Sequence, residues 1–238
     1  MDKIKLGIPG LDEILNGGIR EGSMILFSGQ PGTGKSIASM QFIISGAKKG
    51  IHGMFITSEE TAISLREDMK SVGFDVSAME KKGLITVVEQ SVTGGGMVSI
   101  EAPLKLIQKR KIKRVVLDSL TLFEYVYGNS VNEFRKGIIS FIKQMKEAGV
   151  TLIVTSERQT YDGLQYRPED YLFDGLVILS LIRKGATYER VIQVAKMRGQ
   201  NHMLNIFPLQ IGKQGMTVFP NEVPFSLIEQ DAMKRTKK

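Results

Sequence analysis

Gly29-Gln30-Pro31-Gly32-Thr33-Gly34-Lys35-Ser36 fits the spacing G-x-x-x-x-G-K-[ST] at every position. An apolar segment, Met24-Ile25-Leu26-Phe27, precedes it, and a helix-prone segment from Ser36 to Lys48 follows. Strand, glycine loop and helix is the context in which this spacing cradles phosphate. Gly29, Gly32 and Gly34 lack a Cβ, so the backbone can take positive φ there and curl around an anion. Successive N–H groups then point inward as a nest at the start of the helix. The Lys35 ammonium reaches the β/γ-phosphates and the Ser36 hydroxyl ligates Mg²⁺. The alternative is an ordinary glycine-rich turn, which does not require the lysine and the hydroxyl at these two positions. The nucleotide-binding set is therefore Gly29, Gln30, Pro31, Gly32, Thr33, Gly34, Lys35, Ser36 and Ile37.

A chain of 238 residues, 42% hydrophobic and 24% charged, is an ordinary globular composition with ample apolar content for one large core. No apolar run approaches the ~20 residues that span a bilayer. The opening Met1–Leu6 has no signal-peptide core. Cysteine is absent, which removes disulfides and thiolate metal sites and fits a cytoplasmic protein. The net charge of +7 invites an anionic partner. Part of that excess sits in the end segment Lys234-Arg235-Thr236-Lys237-Lys238, which reads as a solvated tail.

Working outward from the loop, Gly7-Ile8-Pro9-Gly10 reads as a turn, and Leu11–Leu15 as a short helix with Ile8, Leu11, Ile14 and Leu15 in one stripe. Strands are expected at 53–57, 84–88, 114–118 and 150–154, and helices at 61–72 and 102–110. Val131, Phe134, Ile138, Phe141 and Met145 recur at helical spacing. Gly94-Gly95-Gly96 marks a loop. Alternating strands and helices predict βαβ units and a mainly parallel sheet flanked by helices. From Gly175 onward the texture changes to strands joined by short turns, at 176–182, 188–196, 205–211 and 217–219. These predict an antiparallel C-terminal extension of the same sheet. One domain over 1–220 and a basic tail over 221–238 follow.

Arg114-Val115-Val116-Leu117-Asp118 is a buried-type strand ending in an acid, and Asp118 would hold Mg²⁺ with Ser36. Hydrolysis needs a group that orients water. Glu59 and Glu60 follow the 53–57 strand, where ligands of an open α/β sheet collect. They equally suit the first turn of the next helix, and one residue can serve each role. Lys196 and Arg198, two apart at a strand end, share one face and want an anion unless they are only a solvated end. His202 alone reads as a structural or surface histidine.

Gly7–Asp12, Gly29–Ser36, Ser58-Glu59-Glu60, Val116–Ser119, Thr155-Ser156-Glu157-Arg158 and Lys196-Met197-Arg198-Gly199-Gln200-Asn201-His202 together resemble the KaiC-like branch of the RecA/RadA ATPase superfamily, in order and over nearly the whole chain. The resemblance implies a RecA-like P-loop core with ATP and Mg²⁺ as cofactors. It implies catalysis by Glu59 and Glu60 with Lys35, and homo-hexameric rings with ATP between subunits. It also implies trans contacts to the neighbour's nucleotide from Lys196, Arg198 and His202. KaiC proper has two such domains in tandem, where this chain has one. The place matching its self-phosphorylated residues, near Glu169–Asp174, has no Ser or Thr, so ATP hydrolysis is expected rather than autokinase activity.

Two other readings compete. One is a nucleotide-gated binding or assembly module with little hydrolysis. The other is a RadA-paralogue-like ATPase that binds single-stranded DNA. In the superfamily, loops after the Asp118 and Val154 strands face a central channel, here about 124–130 and 158–170. The second carries Arg158, Tyr161, Tyr166 and Arg167, suited to charge and stacking, but Asp162, Glu169 and Asp170 dilute it. A lid or ring-packing loop is the alternative. Lys109–Arg114 is the densest basic run and reads as a solvated helix end. No membrane partner is expected.

Overall fold

A computed structural model describes residues 3–90, 101–128, 130–158 and 166–228. The triple-glycine loop, Asn129, Tyr161, Asp162 and the end segment Lys234–Lys238 lie outside the described residues.

Within them the chain runs β1 (Lys3–Ile4), α1 (Leu11–Ile14), β2 (Ile19–Arg20), β3 (Met24–Gly29), α2 (Lys35–Ala47), β4 (Gly53–Thr57), α3 (Ala62–Ser71), α4 (Val76–Lys81), β5 (Ile85–Glu89) and α5 (Glu101–Arg110). It continues through β6 (Arg114–Asp118), α6 (Thr121–Tyr127), α7 (Val131–Glu147), β7 (Thr151–Glu157), a 3₁₀ turn (Pro168–Tyr171), β8 (Gly175–Lys184), β9 (Thr187–Met197), β10 (Ile206–Gly212) and β11 (Gly215–Val218).

Residues of β3, β4 and β6 are buried from end to end, as strands covered on both faces must be. One nine-stranded sheet results, in the order β11-β10-β9-β8-β3-β7-β6-β4-β5. The run from β8 to β5 is parallel and the β8–β11 run is antiparallel, as the change of texture at Gly175 predicts. Alternate residues of the central strands enter two separate cores. Ile25, Phe27 and Phe55 meet α1, α2, α3 and α4 on one face. Met24, Leu26, Met54 and Ile56 meet α5, α6 and α7 on the other. In α7 the stripe buries Ile138, Phe141, Ile142 and Met145, each worth roughly 1.5–3 kcal/mol against exposure.

Several expectations need correction. Val131 is not part of that stripe but stands 65% exposed beside the N-cap Ser130. The expected channel loop at 124–130 is largely helix, because Leu122 and Phe123 anchor α6 in the second core and Gly128, at φ +54°, ends it. The last strand, expected at 217–219, spans Gly215–Val218, which leaves only Lys213-Gln214 to turn between it and β10. Within the segment expected as a basic tail, the Phe225 and Ser226 N–H groups donate to the Glu189 carboxylate at 3.3 and 2.9 Å.

Candidate functional site

The glycine loop leaves the carboxyl end of β3 and closes into α2. Gly32 and Gly34 take φ of +77° and +99°, the left-handed turn that curls the loop. Gly29 does not; it is glycine for space, since a Cβ would collide with the Leu179 carbonyl of β8. Thr33 is fully buried and donates to the Gln30 carbonyl at 2.8 Å. The Gln30 side chain accepts from the Leu181 N–H at 2.9 Å, tying the loop to β8. Ile37 packs half-buried against the first core, whereas Pro31 and Gly32 are exposed.

Sheet order brings the other candidates alongside. From β3 outward through β7, β6 and β4, the carboxyl ends carry the loop, Glu157, Asp118 and Ser58-Glu59-Glu60 in sequence across one edge. Lys35 is only 7% exposed, and its Nζ donates to the carbonyls of Gly29 and Gln30, both at 3.0 Å, and to Glu157 Oε1 at 2.9 Å. Asp118 is buried, and burial pushes its carboxyl up, opposed by hydrogen bonds from Ser36 and Thr155 and by the Lys35 charge, while Glu59 adds to the rise. A desolvated acid bonded to a hydroxyl is relieved by a divalent cation, so Ser36 and Asp118 fit the metal role. The Asp118–Ser119 peptide is cis.

The paired glutamates separate. Glu59 is exposed and accepts from the Ser119 hydroxyl, which ties it to the end of β6. Glu60 is half-buried; burial first, then Asp68, Asp118 and Glu59, push its carboxyl up, against a bond from Ser64. Neither caps α3: that role falls to Thr61, whose hydroxyl accepts from Ser64 N–H at 3.2 Å.

Lys196, Arg198 and His202 lie elsewhere. Lys196 of β9 pairs with Leu176, level with Leu26 of β3, and Arg198 N–H donates to Asp174, whose own N–H donates to Met24. Both cations therefore lie toward the amino end of β3, while the glycine loop leaves its carboxyl end: at ~3.3 Å per residue Lys196 is level with a point about 10 Å back along the strand from Gly29, and Arg198 with one about 16 Å back. The shared face is as expected: Lys196 Nζ donates to Asp170, Tyr171 and Phe173 carbonyls at 3.1, 3.4 and 2.7 Å, and Arg198 donates to Tyr171 at 2.8 Å. Burial and then the Arg198 charge push the Lys196 ammonium down. Both ring nitrogens of His202 are buried with no hydrogen-bond partner among the described residues.

Sequence reasoning missed four residues at the loop edge. Thr155 donates to Asp118, Arg190 Nε donates to Gly32 at 3.1 Å, Ser119 holds Glu59, and Glu157 meets Lys35. Thr155 and Glu157 stand inside a quoted motif, yet only the pairing of β7 with β3 and β6 gives them partners.

A parallel sheet with this loop after a central strand, an acid at the end of the next strand but one and antiparallel strands beyond defines a RecA-type P-loop nucleotide-binding domain. Residues 4–223 match the KaiC ATPase family model, and the chain belongs to that family, whose domain binds ATP. A UPF0273 protein of Pyrococcus horikoshii is 33% identical over 238 residues, covering 93% of this chain and 95% of its own length. The circadian clock oscillator protein KaiC of Parathermosynechococcus lividus is 33% identical over 230 residues, and the match spans 92% of this chain but 42% of that protein. The crystal structure of a KaiC-like protein from Pyrococcus horikoshii OT3 superposes with a TM-score of 0.80 at 33% identity, over 92% of this chain and 99% of its own.

Proposed function

We propose that the protein hydrolyses ATP with Mg²⁺ at sites completed between neighbouring copies of a homo-oligomeric ring, a hexamer on the family resemblance, and passes the result to a conformational or signalling output. The observation that carries this is the division of the cations. Lys35 sits at one end of the sheet, and Lys196 and Arg198 at the other. A protomer cannot fold its own Lys196 and Arg198 onto its own loop, whereas a copy docked end to face can present them.

In this reading the loop N–H groups and Lys35 hold the phosphates, and Ser36 and Asp118 hold the metal. Bound Mg²⁺ neutralises and orients the phosphate oxygens. Glu59, steadied by Ser119, and Glu60 position water and accept its proton. Burial raises the Glu60 carboxyl, which makes its ionised form a stronger base than an ordinary carboxylate. Lys196, Arg198 and His202 contact the neighbour's nucleotide, where two cations offset charge on the γ-phosphate. The ATPase domain takes in 1–220. No helix among the described residues is long and apolar enough to cross a membrane. A cytoplasmic setting rests on the cysteine-free composition.

Phosphate release from Mg–ATP, followed across protein concentrations alongside sizing, tests the reading. Specific activity should rise as oligomer forms. Constant activity in a demonstrated monomer removes the shared site. No release at any concentration, with ATP still bound, leaves the nucleotide-gated assembly module.

A further inference from the structure

An ammonium has three N–H donors, and those of Lys35 are all taken: two by backbone carbonyls and one by Glu157. A phosphate oxygen can reach Lys35 only by displacing one of the three. The carbonyls are fixed. Gly29 belongs to β3 and its carbonyl also accepts from Arg158 N–H at 3.0 Å, and Gln30 is clamped through Leu181. The Glu157 backbone is equally fixed, paired in register with Gly29 and accepting from Arg167 at 2.8 Å. Its side chain is not. Glu157 reaches Lys35 from solvent, 44% exposed, while the lysine side chain is 8% exposed.

We propose that Glu157 is a built-in competitor of the phosphate: its carboxylate occupies the Lys35 donor that a nucleotide phosphate needs, and nucleotide binding swings it away. This rests on the phosphate-loop reading above. The pair keeps a buried ammonium satisfied, which lowers the cost of holding the loop in its curled form. It also charges every binding event with breaking an ion pair. Affinity is thus set below what the loop could deliver.

The test is titration of the wild-type chain, Glu157→Gln and Glu157→Asp with a fluorescent N-methylanthraniloyl ADP and Mg²⁺, with circular dichroism to check folding. Glu157→Gln removes the charge at constant shape. Glu157→Asp keeps the charge and withdraws it by one methylene. Both should bind about fivefold tighter, the scale of a partly exposed ion pair. Should one variant fail to fold, the other carries the test. Equal affinity in the folded variants overturns the proposal. Weaker binding overturns it too, since Glu157 would then be helping to hold the ligand. Tightening in Glu157→Gln without tightening in Glu157→Asp reduces the effect to overall charge and also overturns it. Failure of the phosphate-loop reading looks different: the wild-type chain then binds no ADP, or binds it as well after Lys35→Ala.

Discussion

Asp118 carries a conflict between folding and function. Its folded pKa lies above the unfolded value because burial disfavours the charged form. The native state then binds more protons than the unfolded chain between those two values, so stability falls as pH rises through that window and stays lower above it. Asp118→Asn removes the charge and keeps an oxygen for Ser36 and Thr155. Without nucleotide, at neutral pH, the variant should melt on the order of a few degrees higher than wild type, with the gap closing toward acid pH, as differential scanning fluorimetry can follow. With Mg–ATP the order should reverse, because wild type alone gains the metal. Glu60 makes the same point for turnover. A base works ionised, and Glu60 is pushed up by burial, Asp68 and Asp118, so turnover should fall with decreasing pH at a point above the ordinary carboxylate range. Turnover that holds steady down to that range takes Glu60 out of the role. Glu59→Gln with Glu60→Gln should leave nucleotide affinity unchanged and slow phosphate release about a hundredfold or more.

At the level of elements, a buried ion pair joins the loop edge to the 3₁₀ turn that Lys196 holds. Arg158, at the end of β7, is 3% exposed and donates to Asp170 in the 3₁₀ turn, itself 1% exposed. Arg158 Nε also donates to Ser28 of β3 at 3.0 Å, and Lys196 grips the carbonyl of Asp170. Asp170→Ala takes the carboxylate away from a buried guanidinium, and should cost about 3–5 kcal/mol in urea denaturation. This pair also shows where sequence reading stops. The glycine loop, Asp118 and the parallel strands are local patterns of spacing and apolar runs, and each was readable directly. Glu157, Arg190 and Asp170 acquire meaning only from strand register between segments far apart in sequence, which no local pattern encodes. The missed elements have local causes. The N-cap of α6, Leu120, has no side-chain bond to announce a start, and β1 and β2 are two residues each. Helix α4 did carry a signal, in Asp75, which accepts from Ala78 N–H at 2.9 Å.

Over the whole molecule, the proposed shared site places two half-sites at opposite ends of one sheet, and each core is assigned to one face. The glycine loop, Asp118 and the glutamates depend on the carboxyl edge, and the Lys196–Arg198 clasp on the amino edge. Damage to one edge therefore need not reach the other. This separation has a genetic counterpart. A chain with Lys35→Ala keeps a sound Lys196–Arg198 end, and a chain with Lys196→Ala and Arg198→Ala keeps a sound loop. Each alone should be inactive in phosphate release. Mixed in equal amounts and allowed to exchange subunits, they should regain activity, since roughly a quarter of randomly formed head-to-tail junctions join a sound loop to a sound clasp. Two dead proteins would then complement one another in a tube, at about a quarter of the wild-type rate, and adding either alone to wild type should leave the total rate unchanged, since every wild-type loop or clasp still meets a sound counterpart.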